Sequence, residues 1–312
     1  MHSASLDRED LPFVAVIIPA FNDAERLSAC LHTLHHQTYP ADRYEVIVVD
    51  NGSSDDVVGV CSAFSRVRCL SEPRPGSYAA RNTGIAASDA DVLAFTDSDC
   101  LPHPDWLETA VAHLAASPAK GIVGGRVVVF PKNPLRWTAA ELYECVFAFP
   151  QRQRIEEEHW SVTANLFVRR SVMEAVGPFD PDLKSGGDAE WCRRAHAAGH
   201  LIRYAEDARV DHPARASVKE LLVKARRVAG GARVARHEVP KRNLVRYLAR
   251  SVVSCSRTTV RVLAGTRLDA DGVRRFTMLE RLTVAGVLNV VTARRLMEVV
   301  SLRLTAAPRR RS

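Results

Sequence analysis

The sequence predicts an α/β domain, with a mostly parallel sheet flanked by helices, that is followed by a basic helical region. Short runs of β-branched residues alternate with helical patterns along residues 1–212. Turn-forming polar residues follow the strand patterns, as expected where ligands bind beyond the carboxyl ends of a sheet. The charge then changes sign: residues 1–212 carry 20 basic and 30 acidic side chains, whereas residues 213–312 carry 23 and 6. The two regions therefore need separate explanations.

The elements of the first region follow from local composition. Buried strands are predicted at residues 14–18, 46–49, 66–70, 92–96 and 122–130. Helices are predicted at residues 24–36, 78–87, 105–115, 171–176 and 188–198. The stretch from 131 to 185 shows weaker periodicity, and we expect it to be less regular and to contribute the substrate side of the domain.

Composition excludes several classes of protein. A hydrophobic fraction of 46% with 25% charged residues excludes disorder as the main state. The seven cysteines are scattered and form no CxxC pair, which excludes a disulfide framework and a zinc site. Charged residues interrupt the start of the chain, and no apolar run reaches the roughly 18 residues that span a bilayer. We expect a cytoplasmic protein, and the sequence carries no feature that fixes its oligomeric state.

Five segments carry a more specific signal. They are VAVIIPAFND (14–23), EVIVVDNGSSDD (45–56), PGSYAARNTGIAAS (75–88), LAFTDSDC (93–100) and GGDAEWCRR (186–194). In this order and spacing they resemble the inverting family-2 glycosyltransferases of the GT-A fold, a Rossmann-like mixed sheet flanked by helices. The resemblance covers about two thirds of the chain. It implies that residues 1–212 transfer a sugar from a nucleoside diphosphate donor, with a UDP-sugar as the default, to a glycan or lipid-linked acceptor.

The chemistry of such a transfer explains two carboxylates after a strand. A departing diphosphate must be neutralised, usually by a divalent cation held by carboxylates. Asp97 and Asp99 resemble the DxD element of the family, and His212 falls where many GT-A enzymes complete the metal site. Oxygen ligands favour Mg²⁺ or Mn²⁺. The alternative is that these aspartates are turn formers or a helix cap.

The resemblance also assigns residues to the donor nucleotide. Asp50 resembles the residue that binds the base, and Arg81 the one that meets the nucleotide or its diphosphate. The alternatives are a plain turn with a helix cap and a solvated surface arginine. The full set of predicted donor contacts is Pro19, Ala20, Phe21, Asp50, Asn51, Ser53, Arg81, Asp97 and Ser98.

Inversion requires one carboxylate that takes a proton from the acceptor hydroxyl. Asp188 matches the aspartate of the family's Glu-Asp element and is the predicted general base, although Gly187 stands where Glu is common. A helix N-cap is the alternative role for Asp188. The predicted acceptor contacts are Trp160, Asn165 and Glu190. A non-catalytic nucleotide-binding protein that keeps the fold is the competing hypothesis, and Gly187 is its motivation.

Residues 213–312 predict basic amphipathic helices at 243–265 and 278–304. In the first, Arg246, Arg250, Arg257 and Arg261 cluster within about 60° of one another, apart from an apolar face. Such helices suit the surface of an anionic membrane. The alternative is a helical subdomain packed on the catalytic core. Nucleic-acid binding is disfavoured, because the region has few aromatic residues and no recognisable module.

Overall fold

The computed structural model describes residues 11–117, 121–230, 243–265 and 275–305. Its strands are β1 (Val14–Ala20), β2 (Tyr44–Asp50), β3 (Val67–Ser71), β4 (Val92–Phe95), β5 (Leu101–Pro102), β6 (Ile122–Phe130), β7 (Leu166–Arg169) and β8 (Ile202–Pro213). Its α-helices are α1 (Ala24–His35), α2 (Val57–Ser62), α3 (Ser77–Ala86), α4 (Trp106–Ala115), α5 (Ala139–Phe147), α6 (Gln151–Glu158), α7 (Arg170–Val176), α8 (Gly187–Ala197), α9 (Val218–Gly230), α10 (Leu244–Ala264) and α11 (Met278–Thr305).

The strands form one mixed sheet in the order β3-β2-β1-β4-β7-β6-β8-β5. Pairing is parallel from β3 through β2 and β1 to β4. It becomes antiparallel where β7 meets β4 and β6, and where β5 meets β8. The parallel half follows from the strand–helix–strand alternation read in the sequence, whereas the antiparallel half makes the sheet mixed, as the GT-A resemblance implies. The carboxyl ends of β2, β1 and β4 share one edge of the sheet.

The core lies on both faces of the central strand β1, whose residues from Val14 to Ile18 are fully buried. Helix α3 approaches this strand at Gly84, where a Cβ atom would lie 2.6 Å from Cγ2 of Ile17. Because real Cβ atoms do not tolerate such a distance, glycine permits the close contact. That contact sets the position of the α3 residues one turn earlier, including Arg81.

The expectation of an irregular stretch from 131 to 185 was wrong in its first part. Residues 139–147 and 151–158 form helices α5 and α6, and the charged run from Arg152 to Glu158 lies within α6. Thr138 and Glu141 make a reciprocal capping box at the start of α5. The sequence pattern also left out α2, β5, β7, β8 and α9.

The contacts of the chain divide it into two compact units. The first comprises residues 1–128, 151–182 and 187–212, and the second comprises residues 129–150, 183–186 and 213–312. The second unit therefore contains α5 besides the C-terminal helices. The predicted boundary after residue 212 and the assignment of a role to residues 213–312 stay predictions.

Two small apolar clusters organise the helices of the second unit. One joins α5, α10 and α11 through Leu142, Val262 and Val284, and the other joins α5, α9 and α11 through Ala140, Leu221 and Val287. No helix among the described residues is both long enough and apolar enough to cross a bilayer.

A buried ion cluster also connects α5 to α9 and to the segment that leads into it. Burial would raise the pKa of the Glu144 carboxyl, but Lys224 and Arg215 hold it below its usual value. Their side-chain nitrogens lie 2.9 and 3.0 Å from Oε1 of Glu144. The cluster fixes the start of the C-terminal region against α5.

Candidate active site

Two carboxylates, a thiol and an imidazole converge beyond the end of β4. One ligand atom from each of Asp97, Asp99, Cys100 and His212 lies within 4.8 Å of the others. His212 is only 5% exposed, and its Nε2 atom lies 3.5 Å from Oδ1 of Asp99. Strand β8 supplies the histidine, so the cluster joins residues that are more than one hundred positions apart. The structure brings the three predicted metal ligands together.

The residues of this cluster fit a divalent cation. Burial raises the pKa of the Asp99 carboxyl, and the nearby Asp97 raises it further against the opposing effects of His212 and Arg26. A cation at this place would compensate two carboxylates held close together in a poorly hydrated site. Carboxylate oxygens with one imidazole nitrogen form a set that Mn²⁺ accepts well, and Mg²⁺ accepts the oxygens. Cys100 was not foreseen from the sequence, and burial raises the pKa of its thiol well above the usual value.

Arg81 has a different immediate partner from the one predicted. Its guanidinium is 3% exposed and forms an ion pair with Asp97 through Nη2. It also donates to the carbonyl of Ser77, and its Nε atom has no hydrogen-bond partner. The surface-arginine alternative is therefore wrong. Arg81 holds the Asp97 carboxylate in place, and its role toward a diphosphate stays a prediction.

The predicted donor loop after β2 is held by its own hydrogen bonds. Oδ1 of Asp50 accepts from the backbone N–H of Ser53 at 3.0 Å. The Asn51 side chain donates to the carbonyls of Glu72 and Arg74 and accepts from the N–H of Gly76. The Asn51 side chain thus fixes the loop that leads into α3. Base binding by Asp50 stays a prediction, and it would use the second carboxylate oxygen.

The loop after β1 lies beside the donor loop, because Ala20 pairs with Asp50 in register. Pro19 is partly buried in β1, and Ala20 is fully buried, with its carbonyl accepting from the N–H of Asn51 at 2.9 Å. Phe21 is 61% exposed, which leaves its ring available for stacking.

Hydroxyl groups tie neighbouring loops of the site together. Oγ of Ser53 accepts from the N–H of Asn22 at 3.0 Å, and Ser98 donates its hydroxyl to Asp23 at 2.7 Å. Both serines therefore have structural partners within the first unit, and their predicted donor contacts remain untested.

Asp188 lies at the start of α8, in the electrostatic field of the metal-site residues. Burial raises the pKa of its carboxyl, the N–H of Ala189 and the charges of Arg81 and Arg154 lower it, and Asp97 raises it again. Oδ1 accepts from the Ala189 N–H at 2.9 Å. A carboxylate with a raised pKa is a better proton acceptor, as a general base requires.

Tyr78 is a residue of this site that the sequence analysis did not single out. Its hydroxyl lies 3.4 Å from Oδ1 of Asp188. A Cβ atom on Gly187 would lie 2.7 Å from the Tyr78 ring, so the ring fills the space that a side chain at position 187 would need. The departure from the family pattern at Gly187 thus has a local packing explanation. Tyr78 lies within the segment 75–88 that carries the resemblance, which was the available signal.

The three predicted acceptor residues have different environments. Trp160 is partly exposed and stacks against Arg154, whose guanidinium carbon lies 4.7 Å from the ring centroid. Arg154 also acts on the pKa of Asp188. Trp160 is therefore connected to the predicted base through Arg154, which the sequence analysis did not single out.

Asn165 and Glu190 are buried and bonded within the fold, and their contact with the acceptor stays a prediction. Asn165 is 0% exposed; its amide donates to the carbonyls of Arg126 and Ala208, and it accepts from the indole N–H of Trp106. Glu190 is buried and paired with Arg194 at 3.0 Å. A sequence pattern cannot separate the bonds of Asn165 from ligand contacts, because their partners are distant in the chain, whereas Arg194 is four residues from Glu190 on the same helix.

The comparisons with a family profile and with related sequences agree that the similar proteins are glycosyltransferases. The sequence profile described as Glycosyl transferase family 2 matches residues 15–177. The chain is 43% identical over 227 residues to the glycosyltransferase AglE of Haloferax volcanii, covering 71% of this chain and 73% of that protein. It is 33% identical over 231 residues to the pre-mycofactocin glycosyltransferase of Mycobacterium tuberculosis, where it covers 70% of this chain and 46% of that protein.

Two solved structures share the fold at low sequence identity. The mannosyltransferase PcManGT from Pyrobaculum calidifontis, in complex with GDP-Man and Mn²⁺, aligns with a TM-score of 0.52 and 20% identity over 97% of this chain and 78% of that chain. TarS from S. aureus (residues 1–349) aligns with a TM-score of 0.52 and 14% identity over 94% and 90%.

Proposed function

Because this chain belongs to glycosyl transferase family 2 and is a glycosyltransferase, we propose that it transfers a sugar from a nucleoside diphosphate donor to a hydroxyl acceptor with inversion. The observation that supports this most directly is the single cluster in which Asp97, Asp99 and His212 lie close together while Asp188 lies in the same electrostatic field. A carboxylate pair for a cation and a separate carboxylate for a proton are the two requirements of the reaction.

The metal dependence rests on the donor set described above. Asp97, Asp99 and His212 would hold Mg²⁺ or Mn²⁺, which supplies positive charge for the departing diphosphate. Arg81 fixes the orientation of the Asp97 carboxylate through their ion pair. The chain's own residues therefore pre-organise the ligands.

Asp188 acts on the acceptor. Its carboxylate takes the proton of the acceptor hydroxyl as that oxygen forms a bond to the anomeric carbon and the bond from this carbon to the diphosphate oxygen breaks. Tyr78 and the N–H of Ala189 hold the carboxylate in one orientation. A single displacement of this kind inverts the configuration at the anomeric carbon.

A UDP-sugar is the donor that we propose, with Asp50 accepting a hydrogen bond from the base. GDP-mannose is the donor to test beside it, because the mannosyltransferase of similar fold was solved with GDP-Man. For the acceptor we propose a lipid-linked or cell-envelope glycan, reached at the cytoplasmic face of an anionic membrane. The net charge of +17 on residues 213–312 supports this location.

The experiment is a panel of UDP- and GDP-sugars incubated with the protein and Mn²⁺, with release of the free nucleotide as the readout. We expect one donor to be hydrolysed slowly without acceptor, and hydrolysis to stop when the cation is chelated. Nucleotide binding without release across the panel, with acceptors present, would favour the non-catalytic alternative. The packing of Tyr78 against Gly187 weakens the motivation for that alternative.

A further inference from the structure

The solvent-facing side of α10 is divided lengthwise into an apolar strip and an arginine row. Exposed valines at 245, 252, 253 and 260 fall within about 100° of one another at the helical period. The exposed residues Arg246, Arg250, Arg257 and Arg261 occupy the adjoining sector of about 60°. Residues 244–264 contain no acidic side chain.

Helix α11 carries a second exposed apolar strip. Leu279, Leu282, Val290 and Met297 are all about half exposed or more, and Gly286 and Ala293 lie between them. At the helical period these residues share one face and extend over about 27 Å. Leu279 is 74% exposed and Val245 on α10 is 81% exposed, so both strips lie open to solvent.

The contacts between α10 and α11 place both strips on the same side of the helix pair. Cys255 contacts Asn289 and Thr292, whereas the later α10 residue Leu263 accepts from the earlier α11 residue Arg281, so the helices run antiparallel. When each helix is viewed from its N-terminus, the apolar strip lies clockwise from the residues that contact the other helix. In an antiparallel pair this brings the two strips to one face, while the arginine row points away from α11.

We propose that this face, defined by the apolar strips of α10 and α11, docks on an anionic lipid surface with both helices lying in the plane of the membrane. Apolar side chains would enter the headgroup region, and the arginine row at the edge would meet lipid phosphates. Charge complementarity selects this occupant: among the described residues, no ion pair to a carboxylate involves Arg246, Arg250 or Arg257. The inference rests on the membrane location in the proposed function and names the surface responsible.

The test uses the full chain and flotation with vesicles of phosphatidylcholine, either alone or with about one third phosphatidylglycerol. The double variant Arg250→Gln, Arg257→Gln loses two surface charges worth roughly 1 kcal/mol each, so its partition coefficient onto the anionic vesicles should fall about thirtyfold. Leu279→Gln with Leu282→Gln should lower it at least tenfold on the roughly 1.5–3 kcal/mol scale of a buried leucine.

Matched variants test whether the effect belongs to this face. Val58→Gln replaces a valine in the first unit that is 62% exposed, between the values of Leu282 and Leu279. Arg193→Gln removes an exposed arginine from the same unit. Both should bind vesicles like the parent protein. Equal losses in these controls would overturn the proposal.

Two further outcomes separate the alternatives. If the wild-type protein does not float with anionic vesicles, and light scattering shows a dimer that Leu279→Gln with Leu282→Gln dissociates, the face is an interface between two copies and the proposal is wrong. A monomer that binds no vesicle also refutes it. Nucleotide release in solution is measured in parallel: vesicle binding without release would remove the proposed reaction, whereas release without vesicle binding would remove only this inference.

Discussion

Replacing Asp188 by asparagine separates the chemical role of this side chain from its structural one. Asparagine keeps an oxygen that can accept from the Ala189 N–H, 2.9 Å away in the wild type, and that remains within reach of the Tyr78 hydroxyl at 3.4 Å. It loses the negative charge and, with it, the ability to take a proton. A positioned general base contributes about 10²–10⁴ in rate, so kcat should fall by that factor, or roughly 2.7–5.4 kcal/mol in barrier height.

The same substitution should not destabilise the protein. Burial raises the pKa of Asp188, which means that the ionised carboxylate is less favourable in the folded chain than in the unfolded chain near neutral pH. Neutral asparagine removes that penalty, so the thermal midpoint at pH 7 should equal or exceed the wild-type value. Donor affinity, measured by titration calorimetry with Mn²⁺, should be unchanged because the metal ligands are intact.

Glu190→Gln is the matched control on the same helix. Glu190 is buried and paired with Arg194, so the control should lower the thermal midpoint while kcat stays within about tenfold of wild type. The assay is nucleotide release at saturating donor and acceptor. A loss in kcat below tenfold for Asp188→Asn, or a Glu190→Gln variant with the larger kinetic defect, would refute the assignment of the base.

Three other predictions concern the same site. Asp99→Asn should abolish the Mn²⁺-dependent part of UDP binding in calorimetry, whereas Asp105→Asn, an exposed carboxylate nearby, should bind UDP normally; equal binding by both variants would remove the metal role. Because burial raises the pKa of Asp188, the wild-type kcat should fall on the acid side at a pH above the ordinary Asp value of 3.8, and an acid limb at or below that value would contradict the buried-base argument. Gly187→Ala places a Cβ atom 2.7 Å from the Tyr78 ring, so it should lower both kcat and the thermal midpoint, and the added substitution Tyr78→Ala should restore the midpoint in part.

The sequence by itself determined the parallel half of the sheet and the residues that end its strands. β-branched runs and turn formers are local signals, and they located β1, β2, β3, β4 and β6 to within about two residues. The spacing of Asp97 and Asp99 is also local, so the acidic cluster could be predicted before any packing was known. The change from a net acidic to a net basic region near residue 212 follows from the numbers of charged residues alone.

Only the tertiary structure determines which polar side chains form hydrogen bonds or ion pairs within the fold. Asn165, Glu190 and Arg81 all occur in segments typical of ligand binding, but the first two are bonded internally and the third is paired with Asp97. The partners of Asn165 and Arg81 come from other segments of the chain, and the burial of Glu190 beside Arg194 is set by the packing of α8. No sequence periodicity reports whether a buried polar group is satisfied by its neighbours or is left to meet a ligand.

The same reason applies to the C-terminal helices. The sequence of α10 already shows its amphipathic pattern. The structure shows which side of α10 is covered by α11, and it leaves a face of valines and arginines exposed. The alignment of two apolar strips on one face depends on the antiparallel contact between the helices. Local composition determines what each helix carries, and the packing of distant residues determines which part of it remains exposed.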